Sequence, residues 1–226
     1  MNTVRVGAVT IGQSPRSDVM PDLVRELGPA AEIVEHGALD ALNLEQVRAN
    51  PPKSRETTLV SRMSDGTEVK VERTFVVPRL QASIRAIERD VRIILVLCTA
   101  PFGGLDSIVP LLHPAQILDD LVWQTNAVRL GVVTPSQNQI SMQHERWSGV
   151  VRDEVVVVAA SPYTDSKGLD TAATILRDSE VDSVVMDCIG YTHEMRARLQ
   201  SLMPTPVFSA LGGLGGAARE MLGIER

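Results

Sequence analysis

The chain has 226 residues, of which 44% are apolar, 22% charged and 3% aromatic, and its formal net charge is −6. That is enough chain for one large or two small cores. The composition is too apolar for disorder and, lacking any Lys/Arg run, gives no nucleic-acid footprint.

Val4–Thr10 reads as a strand that opens onto the polar loop Ile11–Arg16. Ser17 or Asp18 is placed to cap a helix running to about Leu27, where Gly28-Pro29 stops it. Glu32–His36 is a second strand. Leu39, Leu42, Leu44 and Val47 suggest a short helix before Asn50-Pro51-Pro52. Thr57–Val77 changes period: two alternating segments flank Ser64-Asp65-Gly66-Thr67, a hairpin signal, so an inserted antiparallel ribbon is expected. Pro78 starts a predicted helix over Arg79–Arg89, which leads into the apolar strand Ile93–Leu97 and Cys98.

Leu105–Leu112 and Ala115–Val122 read as helical, broken at His113-Pro114. Val128–Thr134 is a strand, Ser136–Trp147 a helix, Val155–Ala159 a strand and Asp165–Asp178 a helix. Val184–Met186 then delivers Asp187-Cys188, with helix Thr192–Leu202 and a closing strand over Pro204–Ser209 behind it. Gly212-Gly213-Leu214-Gly215-Gly216 precedes a last predicted helix, Ala217–Leu222. It lacks the spacing of a dinucleotide fingerprint and suits close helix approach. No apolar stretch nears the roughly 20 residues that span a bilayer, and Met1–Arg5 leads into a strand without a basic-then-apolar leader. A cytoplasmic protein with no membrane partner is expected, and its two cysteines should be free thiols.

Repeated strand–helix alternation is the pattern of parallel α/β architecture. It also repeats internally: Val6-Gly7-Ala8-Val9-Thr10-Ile11-Gly12-Gln13-Ser14 echoes Leu130-Gly131-Val132-Val133-Thr134-Pro135-Ser136-Gln137-Asn138. Each half then reaches an apolar strand that ends in cysteine. The expected fold is α/β, with two pseudo-symmetric Rossmann-like lobes of mainly parallel sheet and a small hairpin insertion in the first lobe. The expected boundaries are 1–120 plus 205–226 for the first lobe and 121–204 for the second.

Open α/β sheets bind ligands outside the carboxyl ends of their strands, where Cys98 and Cys188 both stand. Facing thiols across one cleft, one a thiolate and the other protonated, would take a proton from one side of a carbon and return one to the other. That inverts a stereocentre without metal or cofactor. A substrate carboxylate needs an anion site, and loop Gln13–Arg16 offers amides, a hydroxyl and the Arg16 guanidinium. Thr10, Gln13, Ser14, Arg16, Thr99, Gln137, Asp187, Tyr191, Thr192 and His193 are therefore the candidate substrate-binding residues. Asp187, one residue before the thiol, should point to the other face of its strand or tune the sulfur.

Thr10-Ile11-Gly12-Gln13-Ser14-Pro15-Arg16, Leu118-Asp119-Asp120-Leu121-Val122 and Met186-Asp187-Cys188-Ile189-Gly190-Tyr191 together resemble the AroM family, within the aspartate/glutamate racemase superfamily, over essentially the whole chain. The resemblance implies two pseudo-symmetric lobes, an active site between them and two cysteine bases with no cofactor. Two departures stand out. Thr99 and Ala100 occupy the asparagine-like and threonine-like places after the first cysteine, and Ile189 stands where racemases often carry a substrate-contacting threonine. The superfamily also includes hydantoin racemase-like, maleate isomerase-like and arylmalonate decarboxylase-like enzymes. The leading expectation is a racemase or epimerase, an isomerase acting alpha to a carboxylate through Cys98 and Cys188. One alternative is a lyase or isomerase that uses a single cysteine. Another is a regulatory protein that binds a small molecule without turnover. The expected partner is a small carboxylate-bearing metabolite, with self-association left open and nucleic acid excluded.

Overall fold

The computed structural model of the protein describes residues 3–163 and 167–224. The chain divides into two compact units, 1–113 with 214–226, and 114–213. The boundaries expected from the sequence lie near 120 and 205.

The first unit contains β1 (Val4–Thr10), α1 (Met20–Leu27), β2 (Ala31–Gly37), α2 (Leu44–Arg48), β3 (Thr58–Arg62), β4 (Glu68–Glu72), α3 (Arg73–Ile87), β5 (Ile94–Leu97) and β6 (Leu111–Leu112). Four of its strands form a parallel sheet in the order β2-β1-β5-β6. Every residue of β5 is buried, as a strand covered on both faces requires. The expected ribbon is present: β3 and β4 pair antiparallel, Thr58 opposite Glu72 and Arg62 opposite Glu68.

The second unit contains α4 (Pro114–Thr125), β7 (Arg129–Thr134), a 3-10 turn over Gln137–Gln139, α5 (Ile140–Ser148), β8 (Glu154–Ala159), α6 (Lys167–Asp178), β9 (Ser183–Met186), α7 (His193–Leu202) and β10 (Val207–Ser209). Its sheet, β10-β9-β7-β8, is also wholly parallel. The last helix, α8 (Ala210–Leu222), begins in this unit and ends in the first.

The two sheets repeat each other residue by residue. Gly7 pairs with Ile94 and Thr10 with Leu97 in the first; Gly131 pairs with Val184 and Val133 with Met186 in the second. Thr10 therefore matches Thr134, Leu97 matches Asp187 and Cys98 matches Cys188. The paired glycines share one physical cause. A Cβ on Gly7 would lie 2.9 Å from Ile87 and Ile94 and 3.3 Å from Val91. One on Gly131 would lie 2.9 Å from Leu176, 3.2 Å from Val181 and 3.3 Å from Val184. In each lobe the helix and turn before the cysteine strand press onto the central strand, where only a glycine leaves room.

Four expectations are corrected. Helix α1 starts at Met20, with Val19 rather than Ser17 or Asp18 at its N-cap and no side-chain cap. The Asp18 carboxylate is engaged by Arg16 instead. Helix α3 starts five residues before Pro78, because Glu72 caps it by accepting from the Thr74 N–H. Val76, Leu80, Ile84 and Ile87 then bury one helical face, and Pro78 in its second turn removes a single backbone donor.

Leu105–Leu112 is not helical. Gly104 adopts φ +83°, and α3 with its C-cap residue captures the peptide groups that a helix would need: Asp106 N–H donates to Gln81 and Ile108 N–H to Glu88. The glycine run lies inside α8 rather than before it. A Cβ on Gly213 would meet Ile117 and Leu121 of α4 at 3.1 Å, and one on Gly215 would meet Glu26 of α1 at 2.6 Å, so close helix approach does explain these glycines. Of the predicted helix Asp165–Asp178, Lys167 onward is helical, and its expected start at Asp165 lies outside the described residues.

Candidate functional site

At the carboxyl end of β1 the predicted anion loop is bonded to its own chain. Gly12 N–H donates to Thr10 Oγ1 (3.2 Å) and Gln13 N–H to Arg62 O (3.0 Å). Ser14 donates through N–H and hydroxyl to Asp40 (2.6 and 2.8 Å), and Arg16 N–H donates to Glu35 Oε2 (2.7 Å). The Gln13 amide bridges Leu39 O and Leu42 O to Ser64, tying this loop to the ribbon.

Arg16 is 2% exposed, and its guanidinium grips Asp18 bidentately at 2.8 and 2.7 Å and reaches Thr10 Oγ1 at 3.1 Å. The fork that the sequence analysis assigned to a substrate carboxylate thus holds a carboxylate of the chain. Burial works to raise the Asp18 carboxyl. The Arg16 hydrogen bond and charge, with Arg62 beyond, outweigh it and hold the group below its ordinary value. Cys98 follows β5 half-buried, its N–H turned back to Val96 O (2.9 Å), and packs with Thr99's neighbour Ala100 against the first core.

The second unit dresses its strand end differently. Asp187, 2% exposed, accepts from Trp147 Nε1 at 2.9 Å and lies 3.4 Å from Arg146 Nη1. Arg146 lies 4.0 Å over the Trp147 ring and donates its other amino group to Asp119 Oδ1 (2.7 Å) and Ala115 O (3.2 Å). Helices α4 and α5 thus converge on the carboxylate just before the thiol. Burial pushes Asp119 up; the Arg146 charge opposes this, and the Asp187 charge adds to it.

Cys188, half-buried, opens a turn closed by Tyr191 N–H to Cys188 O (3.3 Å). Gly190 N–H donates to its Sγ at 3.5 Å, and the Tyr163 hydroxyl lies 3.9 Å from the same sulfur. Tyr191 is fully buried and donates to Ala160 O (2.7 Å). Burial first, then the repulsion that its phenolate would meet from Cys188, Asp187 and Tyr163 in their ionised forms, pushes its phenol well above the ordinary value, so it remains a donor. Thr192 caps α7 by accepting from Met195 N–H (3.3 Å), and His193 is the first residue of that helix. Tyr163 and Thr192 also border a groove of about 600 Å³ with Lys167, Asp170, Met195 and Arg198.

Within the first unit, then, Thr10 and Arg16 meet; within the second, Asp187, Cys188, Tyr191 and Thr192 share one strand–turn–helix segment. Gln137 is exposed in the 3-10 turn, and Gln139 is the amide that meets Thr134, at 3.1 Å. Sequence reasoning gave no role to Arg146, Trp147, Asp119 or Tyr163. Tyr163 had a usable signal, since Ser161-Pro162-Tyr163 follows directly on a strand exit. Arg146 and Trp147 lie in the last turn of α5, about 40 residues from their carboxylate, with no local mark. Among the described residues, no group of three or more His, Cys, Asp and Glu is placed to hold a metal ion.

Two wholly parallel sheets of matching register, each with a cysteine just past one strand end, define a duplicated α/β fold. The chain belongs to the AroM family: the family described as AroM protein matches residues 6–222. Three similar solved structures cover nearly the whole chain. An allantoin racemase from Pseudomonas fluorescens has a TM-score of 0.66 and 12% identity, covering 98% of this chain and 93% of its own. A maleate isomerase from Pseudomonas putida S16 has 0.62 and 16%, covering 98% and 94%. An arylmalonate decarboxylase has 0.65 and 11%, covering 99% and 94%. No curated protein matches the chain.

Proposed function

We propose that this chain is a cofactor-independent enzyme acting beside a carboxylate, an isomerase or lyase in which Cys188 is the one catalytic cysteine. The observation that carries this reading is the polar setting of the Cys188 sulfur, with the Gly190 N–H at 3.5 Å and the Tyr163 hydroxyl at 3.9 Å. Both are donors suited to a thiolate, the form in which cysteine is a base or nucleophile. As a lyase, loss of carbon dioxide leaves an electron pair on the alpha carbon, which takes the Cys188 proton; water restores it. As an isomerase, the thiolate adds to a carbon–carbon double bond, the resulting single bond rotates, and the thiolate leaves. The names of the similar structures, spanning isomerisation, racemisation and decarboxylation, support the broad class and either route. The nearby 600 Å³ groove has the size of a small-molecule site.

A second reading, the two-base racemase, is favoured by one observation: Cys98 and Cys188 occupy matching register positions in their sheets.

The two readings separate on the cysteines. Substituted malonates, unsaturated dicarboxylates, hydantoins and amino acids would be screened in D₂O, with product and alpha-carbon deuterium read by NMR. Cys188→Ala should lower turnover by at least ~100-fold, the usual scale of a lost acid–base group, while Cys98→Ala keeps most of it. Loss in both variants, with deuterium entering by inversion, would establish the racemase instead. Tight binding with no turnover of any candidate would make the chain a binding protein.

A further inference from the structure

We infer that Tyr163 is a positioning residue for Cys188, its hydroxyl holding and stabilising the sulfur, and that position 190 is glycine to admit that phenol. The inference rests on Cys188 being the reacting thiol. The phenol oxygen is 3.9 Å from Sγ. In the thiol form, S–H donates to the phenol oxygen; in the thiolate form, the phenol O–H donates to sulfur. Together with the Gly190 N–H it gives the thiolate two donors, and a hydrogen bond to an ionised acceptor is stronger than one to a neutral group.

Gly190 supplies the independent sign. Its φ is not in the left-handed region, so its backbone does not require glycine. A Cβ there would instead run into the Tyr163 ring, 2.7 Å from Cζ and 2.8 Å from Cε1. The missing side chain is the space the phenol occupies. The two partners are also fastened together. Tyr191, three residues after Cys188, donates to the carbonyl of Ala160, three residues before Tyr163, at 2.7 Å. Tyr163 N–H in turn donates to Ser161 Oγ at 3.1 Å. The turn that carries the sulfur and the loop that carries the phenol therefore hold one separation.

The test reads the thiol directly. In the full-length chain carrying Cys98→Ser, the rate of Cys188 alkylation by iodoacetamide is followed from about pH 5 to about pH 10, around the free-thiol value near 8.5. Tyr163→Phe keeps the ring and removes the donor. It should move the midpoint up by about one pH unit, making alkylation at neutral pH on the order of tenfold slower, with thermal unfolding unchanged. Gly190→Ala should move it in the same direction with the hydroxyl intact, by pushing the phenol off the sulfur. The double variant should go no further than Tyr163→Phe alone. Asp187, Tyr191 and His193, and Arg146 and Asp119 behind Asp187, stay intact throughout, so the shift belongs to the phenol. An unchanged midpoint in Tyr163→Phe overturns the proposal, as do additive shifts in the double variant. If Gly190→Ala does not fold, Tyr163→Phe decides alone. Alkylation needs no substrate, so a chain that turns nothing over yet shows these shifts defeats the enzymatic reading and leaves this one standing.

Discussion

Thr10 and Thr134 hold the same place on the central strands of two sheets of matching order, and Ala38 and Ala160 donate alike to their carbonyls at 2.9 Å. Next to each threonine the ladder arrives at a different residue, Leu97 in the first lobe and Asp187 in the second. The first lobe carries its ion pair on the loop after the threonine strand, Arg16 with Asp18. The second puts a carboxylate, Asp187, just past the end of β9 and brings the cation from α5. One backbone pattern thus accommodates charge from either side of the same strand end. Duplication explains the frame, and the side chains that reach over it from helices and loops explain the chemistry.

Making the second strand end like the first should have the largest effect. Asp187→Leu leaves Arg146 and the Trp147 N–H without their shared acceptor at a nearly fully buried position. Removing one partner of a buried pair costs several kcal/mol. Because Arg146 also bonds Asp119, the expected loss is roughly 3 kcal/mol, measured by urea unfolding. Adding Arg146→Met should recover part of it by removing the stranded cation. Unchanged stability in Asp187→Leu would mean that the second strand end does not depend on its charge.

The matched glycines should respond alike, with a smaller effect. Gly7→Ala and Gly131→Ala each bring a methyl to 2.9 Å from core side chains, an overpacking worth about 1–3 kcal/mol. Similar losses in both would show that the two helix–strand contacts are equivalent in energy as well as in geometry. A large cost on one side alone would break the equivalence.

The frame was legible in the sequence because it depends on local periodicity. The Val-Gly-Ala-Val-Thr and Leu-Gly-Val-Val-Thr echoes are strands with a glycine under a helix, and Asp65-Gly66 is a hairpin in fact. Cys98 and Cys188 were legible because a strand end is a position along the chain. The carboxylates were not. Asp18 looked like a helix cap, and nothing near Arg16 in sequence indicates that Glu35, Asp40 and Asp18 would take its loop's donors. Leu105–Leu112 misled because Gln81 and Glu88, a helix away in sequence, decide where its peptide groups bond. Tyr163 belongs with the sulfur through a glycine that is informative only once the phenol is seen in its place.

The smallest predicted effect separates the two ion pairs by sign. Asp18 has its carboxyl held below the usual 3.8, whereas Asp119 is raised above it. For Asp18, the unfolded chain binds more protons in the window below pH 3.8. Stability there rises with pH, is fully present above 3.8 and is lost as pH falls through the folded value. For Asp119, the folded chain binds more protons from pH 3.8 up to its raised value. Stability in that window falls as pH rises, because ionisation next to Asp187 in a half-buried site is resisted. Asp18→Asn should therefore flatten the acid limb of the urea midpoint below pH 3.8 and leave the region above it parallel to the native chain. Asp119→Asn should do the reverse, removing a downward slope just above pH 3.8 while keeping an acceptor for Arg146. If both variants altered the same limb with the same sign, the two ion pairs would titrate as copies, and the difference between a loop-borne and a helix-borne carboxylate would carry no energetic meaning.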